Sequence, residues 1–151
     1  MVNTQTVANT ILMLSFYEKK LITPMKLQKL MYFVYKEYLQ TTNCQLFSES
    51  FEKWQYGPVL PSIYYEFRNF GSDFINKFAR DAKGNVEIIN MENDTKIAEI
   101  IKNVWDKYKN YRAYQLSALT HQDGSAWNKA ENYLLKDEDI KNEPDFSRKL
   151  Y

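Results

Sequence analysis

Residues 51–70 read FEKWQYGPVLPSIYYEFRNF, and this stretch decides the fold. Phe51, Trp54 and Tyr56 show the alternation of a short, half-buried strand. Gly57-Pro58 breaks it, because glycine opens backbone angles closed to other residues and proline pushes its predecessor out of the helical region. Pro61 suits the first position of a new helix, where its missing N–H costs nothing. That helix sets Ile63, Tyr64, Phe67 and Phe70 on one side and stops at Gly71. The stretch is a rigid corner joining strand Phe51–Tyr56 to an aromatic helix, and the remaining elements are expected to assemble around it.

Upstream, residues 5–19 place Val7, Ala8, Ile11, Leu12 and Leu14 on a broad apolar stripe, the mark of an amphipathic helix. Thr23-Pro24 supplies an N-cap and a first helical residue. Leu27, Leu30, Met31, Val34, Tyr35 and Tyr38 then follow at helical spacing. Tyr32 and Phe33 fall outside that stripe, which leaves only a narrow polar strip of Lys26, Lys29, Lys36 and Gln40. A helix apolar nearly all round is a central one, and its strip of lysines is expected to face solvent. Lysines interleaved with aromatics can bind single-stranded nucleic acid, but a solvated strip is the commoner meaning.

Downstream the pattern is weaker. Residues 41–50 form a connection, with Leu46 and Phe47 tucked in. Phe74, Ile75 and Phe78 suit one helical turn, and Asp81–Gly84 has turn chemistry. Val86–Ile89 is predicted to be a second short strand, antiparallel to Phe51–Tyr56. Asn93-Asp94 caps a long helix over residues 95–110, with Ile97, Ile101, Val104, Trp105, Tyr108 and Tyr111 along its stripe. A short helix carries Tyr114, Leu116, Ser117 and Leu119 and ends at Thr120-His121, and Ser125 caps another through Leu135. The polar tail 136–151 offers Ile140, Phe146 and Leu150 as anchors, and would be packed or frayed. The whole reads as one mainly α (α+β) domain over residues 1–135, with a two- or three-stranded antiparallel element.

Bulk properties narrow the function. Residues 1–60 hold six lysines and four acids, and residues 112–151 hold six bases and seven acids. That evenness argues against a duplex-nucleic-acid binder, which needs clustered cations. The single cysteine, Cys44, excludes an intramolecular disulfide and, with one histidine, a zinc framework. The four glycines are isolated, so there is no phosphate loop. Without an apolar run near eighteen residues or a leader, the chain is expected to be cytoplasmic and off the membrane. Twelve tyrosines and nine phenylalanines exceed the needs of such a core, which suits a protein-binding face as well as a ring-filled interior.

His121 is the one candidate for acid–base chemistry, with Cys44 as a conceivable nucleophile. TTNCQLF brings no helix N-terminus or basic neighbour to activate the thiol. The preferred reading puts His121 at the carbonyl end of a short helix.

Three ordered segments resemble a known family. Leu27-Gln28-Lys29-Leu30-Met31-Tyr32, after Thr23-Pro24, resembles the LxKLxY opening of the Panacea domain, also described as SocA-like or phage-associated GepA-like. Trp54-Gln55-Tyr56-Gly57-Pro58-Val59, with Tyr64 beyond, resembles its W-x-Y-G-P-V…Y hub. Leu119-Thr120-His121 with Gly124-Ser125-Ala126-Trp127 is similar to its L-T-H-x-x-G-x-P-W segment. Ala126 departs from the family's frequent proline, a loss expected to cost about half to one kcal/mol with the fold intact.

The resemblance implies a mostly helical domain that acts as an antitoxin, neutralising a partner toxin by protein contact, with no catalytic residue and no cofactor. Within the same scaffold it also admits an inhibitor of a host protein encoded by a phage or prophage, or an adaptor delivering its client to a protease. A hydrolase-type enzyme using His121 is the remaining alternative. Motif residues Leu27, Lys29, Leu30, Tyr32, Trp54, Tyr56, Gly57, Pro58, Val59, Tyr64, Thr120, His121 and Trp127 would form the scaffold. Tyr32, Tyr64, Tyr65 and His121 are the candidate partner contacts around the hub.

Overall fold

The computed structural model describes residues 1–93 and 95–150, the last two without their side chains. Helix α1 (Thr4–Glu18) starts where the Asn3 side chain accepts from the Gln5 N–H. Helix α2 (Pro24–Thr42) starts at Thr23, whose hydroxyl accepts from the Lys26 N–H, and stops at Asn43 in the left-handed conformation. It is the axis of the molecule: α1, strand residues 57–59 and the helices over 61–67, 96–108, 113–120 and 137–141 all pack on it. Leu27, Leu30, Met31, Tyr32, Phe33, Val34, Tyr35 and Leu39 are buried along its length.

The lysines of this helix's polar strip are not solvated. Lys26, Lys29 and Lys36 are all buried, Lys29 to 1% exposure. Of the strip, Gln40 near the C-terminal end is exposed, but other elements cover the lysines, so each ammonium ends on a backbone carbonyl instead. Lys26 donates to Lys109 O (2.6 Å), Lys29 to Pro58 O (3.1 Å) and Lys36 to Pro144 O (2.8 Å).

Strand β1 (Glu52–Trp54) does not pair with residues 86–89. Its partner is β2 (Gly57–Val59), reached through a two-residue turn at Gln55-Tyr56, with Glu52 opposite Val59 and Trp54 opposite Gly57. Gly57-Pro58 is therefore the start of the second strand rather than the end of the first. Proline is tolerated there because the N–H of its opposite residue, Lys53, turns away from β2 to Tyr133 O (2.8 Å). Pro58 thus lacks a donor only on the side that faces away from β1. The outer edge of β1 is covered by Tyr133–Leu135, through an isolated bridge between Glu52 and Leu134 and a bond from Leu135 N–H to Phe51 O.

The segment 86–89 has other partners. Ile89 N–H donates to the Thr10 hydroxyl, while the Asn9 side chain accepts from Ala79 N–H and donates to Ala79 O and Glu87 O. These buried polar side chains of α1 take up the backbone groups that a ladder would have used. Ile75 is buried without a helical turn, its N–H on Ile22 O, and Phe78 packs edge-on against Phe16.

Helix α3 (Pro61–Phe67) continues through one 3-10 turn to Phe70 and stops at Gly71, φ +58°. Helix α4 (Lys96–Tyr108) is capped by the Thr95 hydroxyl on Ala98 N–H. Of the expected cap Asn93-Asp94, Asp94 lies outside the described residues. Helix α5 covers Ala113–Thr120. Helix α6 is only Ala126–Lys129, since residues 130–135 turn extended to cover β1 instead of continuing to Leu135.

The segment after residue 135 forms α7 (Asp137–Lys141) and packs on α2. Ile140 is buried and Phe146 lies against the core; the Leu150 side chain is outside the described residues. Glu143, buried, closes the contact. One carboxylate oxygen accepts from the Tyr32 hydroxyl and from Ala126 N–H, both at 2.8 Å, and the other faces the Lys36 ammonium at 3.1 Å. The fold is thus mainly helical with a small antiparallel pair, and α2 positions everything that follows.

Candidate partner-binding surface

Five backbone carbonyls of the hairpin and the residue after it receive side-chain donors from α2 and from residues 117–127. Trp127 Nε1 donates to Trp54 O (2.7 Å), His121 Nε2 lies 2.9 Å from Gln55 O, and the Ser117 hydroxyl donates to Tyr56 O (2.7 Å). From α2, Lys29 reaches Pro58 O, and Gln28 closes a two-way amide pair with Leu60, accepting from its N–H (2.9 Å) and donating to its carbonyl (3.0 Å). The Gln28 side chain thus stands in for a neighbouring strand at the open edge beside β2. Leu27 and Leu30 turn the other way, into the core.

Gly57 is required by this closeness. Its φ is +119°, and a Cβ there would sit 2.6 Å from Thr120 Oγ1 and 2.9 Å from Lys29 Cε. Thr120 is held in place by its own bond to Ser117 O (2.6 Å).

His121 sits at the C-terminal end of α5, where the sequence put it. Nδ1 lies 2.6 Å from Ser117 O, a last-turn carbonyl, and the ring tilts against Trp127 at 4.0 Å between centroids. Both nitrogens face backbone carbonyls, so the neutral ring donates to one and the doubly protonated ring to both. Neither is left over for a thiol. Cys44 is exposed in the connection after α2, and no metal-binding cluster occurs among the described residues.

Burial shifts the titration of the inner groups. It pushes the Lys29 ammonium down to about 7 and Lys26, with Lys20 adding repulsion, down to about 8. Tyr32 is held well above its ordinary value, first by burial and then by the Glu143 charge. With 0% exposure, Tyr32 cannot be the exposed anchor expected of it; its hydroxyl is committed to Glu143.

The outer side of the hairpin differs. Tyr56, Tyr64 and Tyr65 are 57%, 40% and 60% exposed. The Tyr64 ring packs on half-buried Trp54 at 4.8 Å and on Tyr65 at 5.5 Å, and Arg68 lies over Tyr65. Trp54 is oriented by its Nε1–H on Glu52 Oε1 (2.8 Å). Of the candidate contacts, the structure therefore brings Tyr64 and Tyr65 together on the surface beside Tyr56, leaves His121 half-buried at the back of the turn, and removes Tyr32.

Sequence reasoning missed Gln28, Ser117 and Glu143. Gln28 had a legible signal, a polar residue inside an otherwise apolar turn of a central helix. Glu143 had none, because its partners are seventeen and more positions away.

Ala126 also changes meaning. Its N–H donates to Glu143, a bond that proline could not make. The departure from the family pattern is thus matched by a contact, rather than being a plain loss of rigidity.

The family described as "Antitoxin SocA-like, Panacea domain" matches residues 27–128. The protein "Antitoxin SocA" of Caulobacter vibrioides (strain NA1000 / CB15N) is 32% identical over 114 residues, which is 74% of this chain and 61% of the relative. The chain thus spans about three fifths of that relative's length. No solved structure matches. The matched segment runs from Leu27 of α2 to Asn128 of α6, and so holds every residue of the carbonyl lattice around the hairpin: the chain belongs to the SocA-like Panacea domain family of antitoxins.

Proposed function

We propose that this protein is the antitoxin of a toxin–antitoxin pair and neutralises a protein toxin by direct contact, without catalysis. The carrying observation is the exposed set Tyr56, Tyr64 and Tyr65, with Tyr64 packed on Trp54 and Tyr65 on Tyr64, beside a hairpin whose carbonyls are held by side chains. Rings held rigid lose little entropy on docking, and a few such residues commonly dominate a protein interface. The family and the curated relative's name support the antitoxin role. No helix among the described residues is long and apolar enough to cross a membrane, which suits a partner met in solution.

The test is co-purification of the tagged chain with the product of the adjacent gene, together with growth rescue when that product is toxic. A 1:1 complex that is lost in Tyr64→Ala/Tyr65→Ala, with the melting temperature nearly unchanged, is the expected result. A complex that survives the double variant would move the interface elsewhere. Shortened lifetime of the bound partner would make the protein a protease adaptor rather than an occluding antitoxin.

A further inference from the structure

Beside the aromatic face lies a groove of about 380 Å³ between the start of α2, the hairpin and α3. Its walls include Met25, Trp54, Tyr56, Val59, Ile63 and Tyr64, and its one charged lining residue is Lys29. Lys29 has no carboxylate within ion-pairing distance among the described residues, and its ammonium donates to a neutral carbonyl, Pro58 O. A buried ammonium without a counter-ion projects an uncompensated positive field, strongest where low-dielectric walls exclude water. The first turn of α2 adds to it. Lys26 and Leu27 N–H are taken by Thr23, whereas Met25 N–H has no acceptor among the described residues. No acidic residue lines the groove to cancel this field.

We propose that the groove receives an apolar or aromatic side chain of the partner protein with an Asp or Glu beside it, the ring seated against Trp54 and Tyr64 and the carboxylate lying in the field of Lys29 and the α2 N-terminus. The walls supply the apolar burial, and the missing counter-charge selects the sign. A basic or neutral segment would gain only the first of these, so the groove discriminates among partners by charge. This deepens the antitoxin reading by naming the chemistry of the segment that is bound. It also holds for any other protein partner.

The test needs no toxin. Sodium 4-phenylbutyrate and its uncharged amide, 4-phenylbutanamide, are titrated at about pH 6, where Lys29 carries its proton, into the purified 15N-labelled protein while amide shifts are followed. The carboxylate is expected to bind at least about fivefold tighter than the amide, with shifts centred on Met25, Gln55, Tyr56 and Tyr64. Lys29→Met should erase that difference. Because Lys29 also tethers the hairpin, Met25→Glu at the rim is the second variant. It should weaken the carboxylate about fivefold or more and the amide less than about twofold, at unchanged melting temperature. Equal binding of the two probes, shifts elsewhere, or no shift with either up to about 10 mM overturns the proposal. If the groove selects the carboxylate but no toxin is captured, the antitoxin reading fails alone. A captured toxin with a silent groove leaves that reading and removes this one.

Discussion

The two sides of the Gln55-Tyr56 hairpin are built on opposite terms. On the inner side, Trp127, His121, Ser117, Lys29 and Gln28 each meet a backbone carbonyl, and Gly57 leaves no room for a methyl group. On the outer side, three tyrosines stand in solvent with ring contacts but few hydrogen bonds. The contrast teaches how one motif serves two ends. Its glycine, proline and partner donors fix the backbone, and the fixed backbone then presents rings whose own surroundings specify little. Stability should follow the inner side and binding the outer.

The sharpest way to break that division is Gly57→Ala. The methyl group meets Thr120 and Lys29 at a φ that L residues rarely adopt, so a loss of about 2–4 kcal/mol is expected in urea unfolding. A loss below about 1 kcal/mol would mean the inner side yields easily.

Glu143→Ala comes close behind. It strips the Lys36 ammonium of its counter-charge and leaves the Tyr32 hydroxyl and Ala126 N–H unsatisfied, for an expected cost of about 3 kcal/mol. Ala126→Pro tests the same clasp from the other end. If the N–H bond to Glu143 matters more than a pre-set φ, restoring the family's proline should destabilise by about 1–2 kcal/mol rather than stabilise.

The pH profile is a milder probe of the inner side. Lys29 and Lys26 hold protons less tightly folded, at about 7 and about 8, than the ordinary 10.5 of an unfolded lysine. In that interval the unfolded chain binds more protons, so stability should rise with pH. The cost of keeping Lys29 charged is fully present below about 7 and is relieved progressively above it. Unfolding midpoints measured from pH 7 to 9.5 should therefore climb, staying below the range where raised Tyr32 and Tyr108 act in the opposite sense. Replacing Lys29 by Met should flatten most of the slope. A flat or falling wild-type profile would show that both ammonium groups are better solvated than the structure has them.

The smallest stability effect belongs to the outer side. Tyr65→Ala should change stability by less than about 0.5 kcal/mol, since the ring is mostly in water. The same variant should weaken partner capture strongly. A large stability loss with intact capture would reverse the division between the two sides.

The sequence by itself determined the helical frame and the corner. Apolar spacing marked α1, α2 and α4, Pro24 and Pro61 marked helix starts, Gly71 a stop, and the three motif segments the family. Those signals are local: caps, fixed φ values and periodicity act within a few residues, so one sequence suffices to read them. Tertiary structure decided what pairs with what. It gave β1 its neighbour β2 instead of residues 86–89, where the side chains of Asn9 and Thr10 took Glu87 O and Ile89 N–H. It also turned an expected solvent strip into three buried lysines, and an expected surface tyrosine into the buried partner of Glu143. Periodicity places a residue on a helix face, but burial depends on whether another element covers that face. Along α2 the positions of Gln28 and the three lysines are covered, so these residues became hydrogen-bonded ties to the hairpin, the end of α4 and the C-terminal segment.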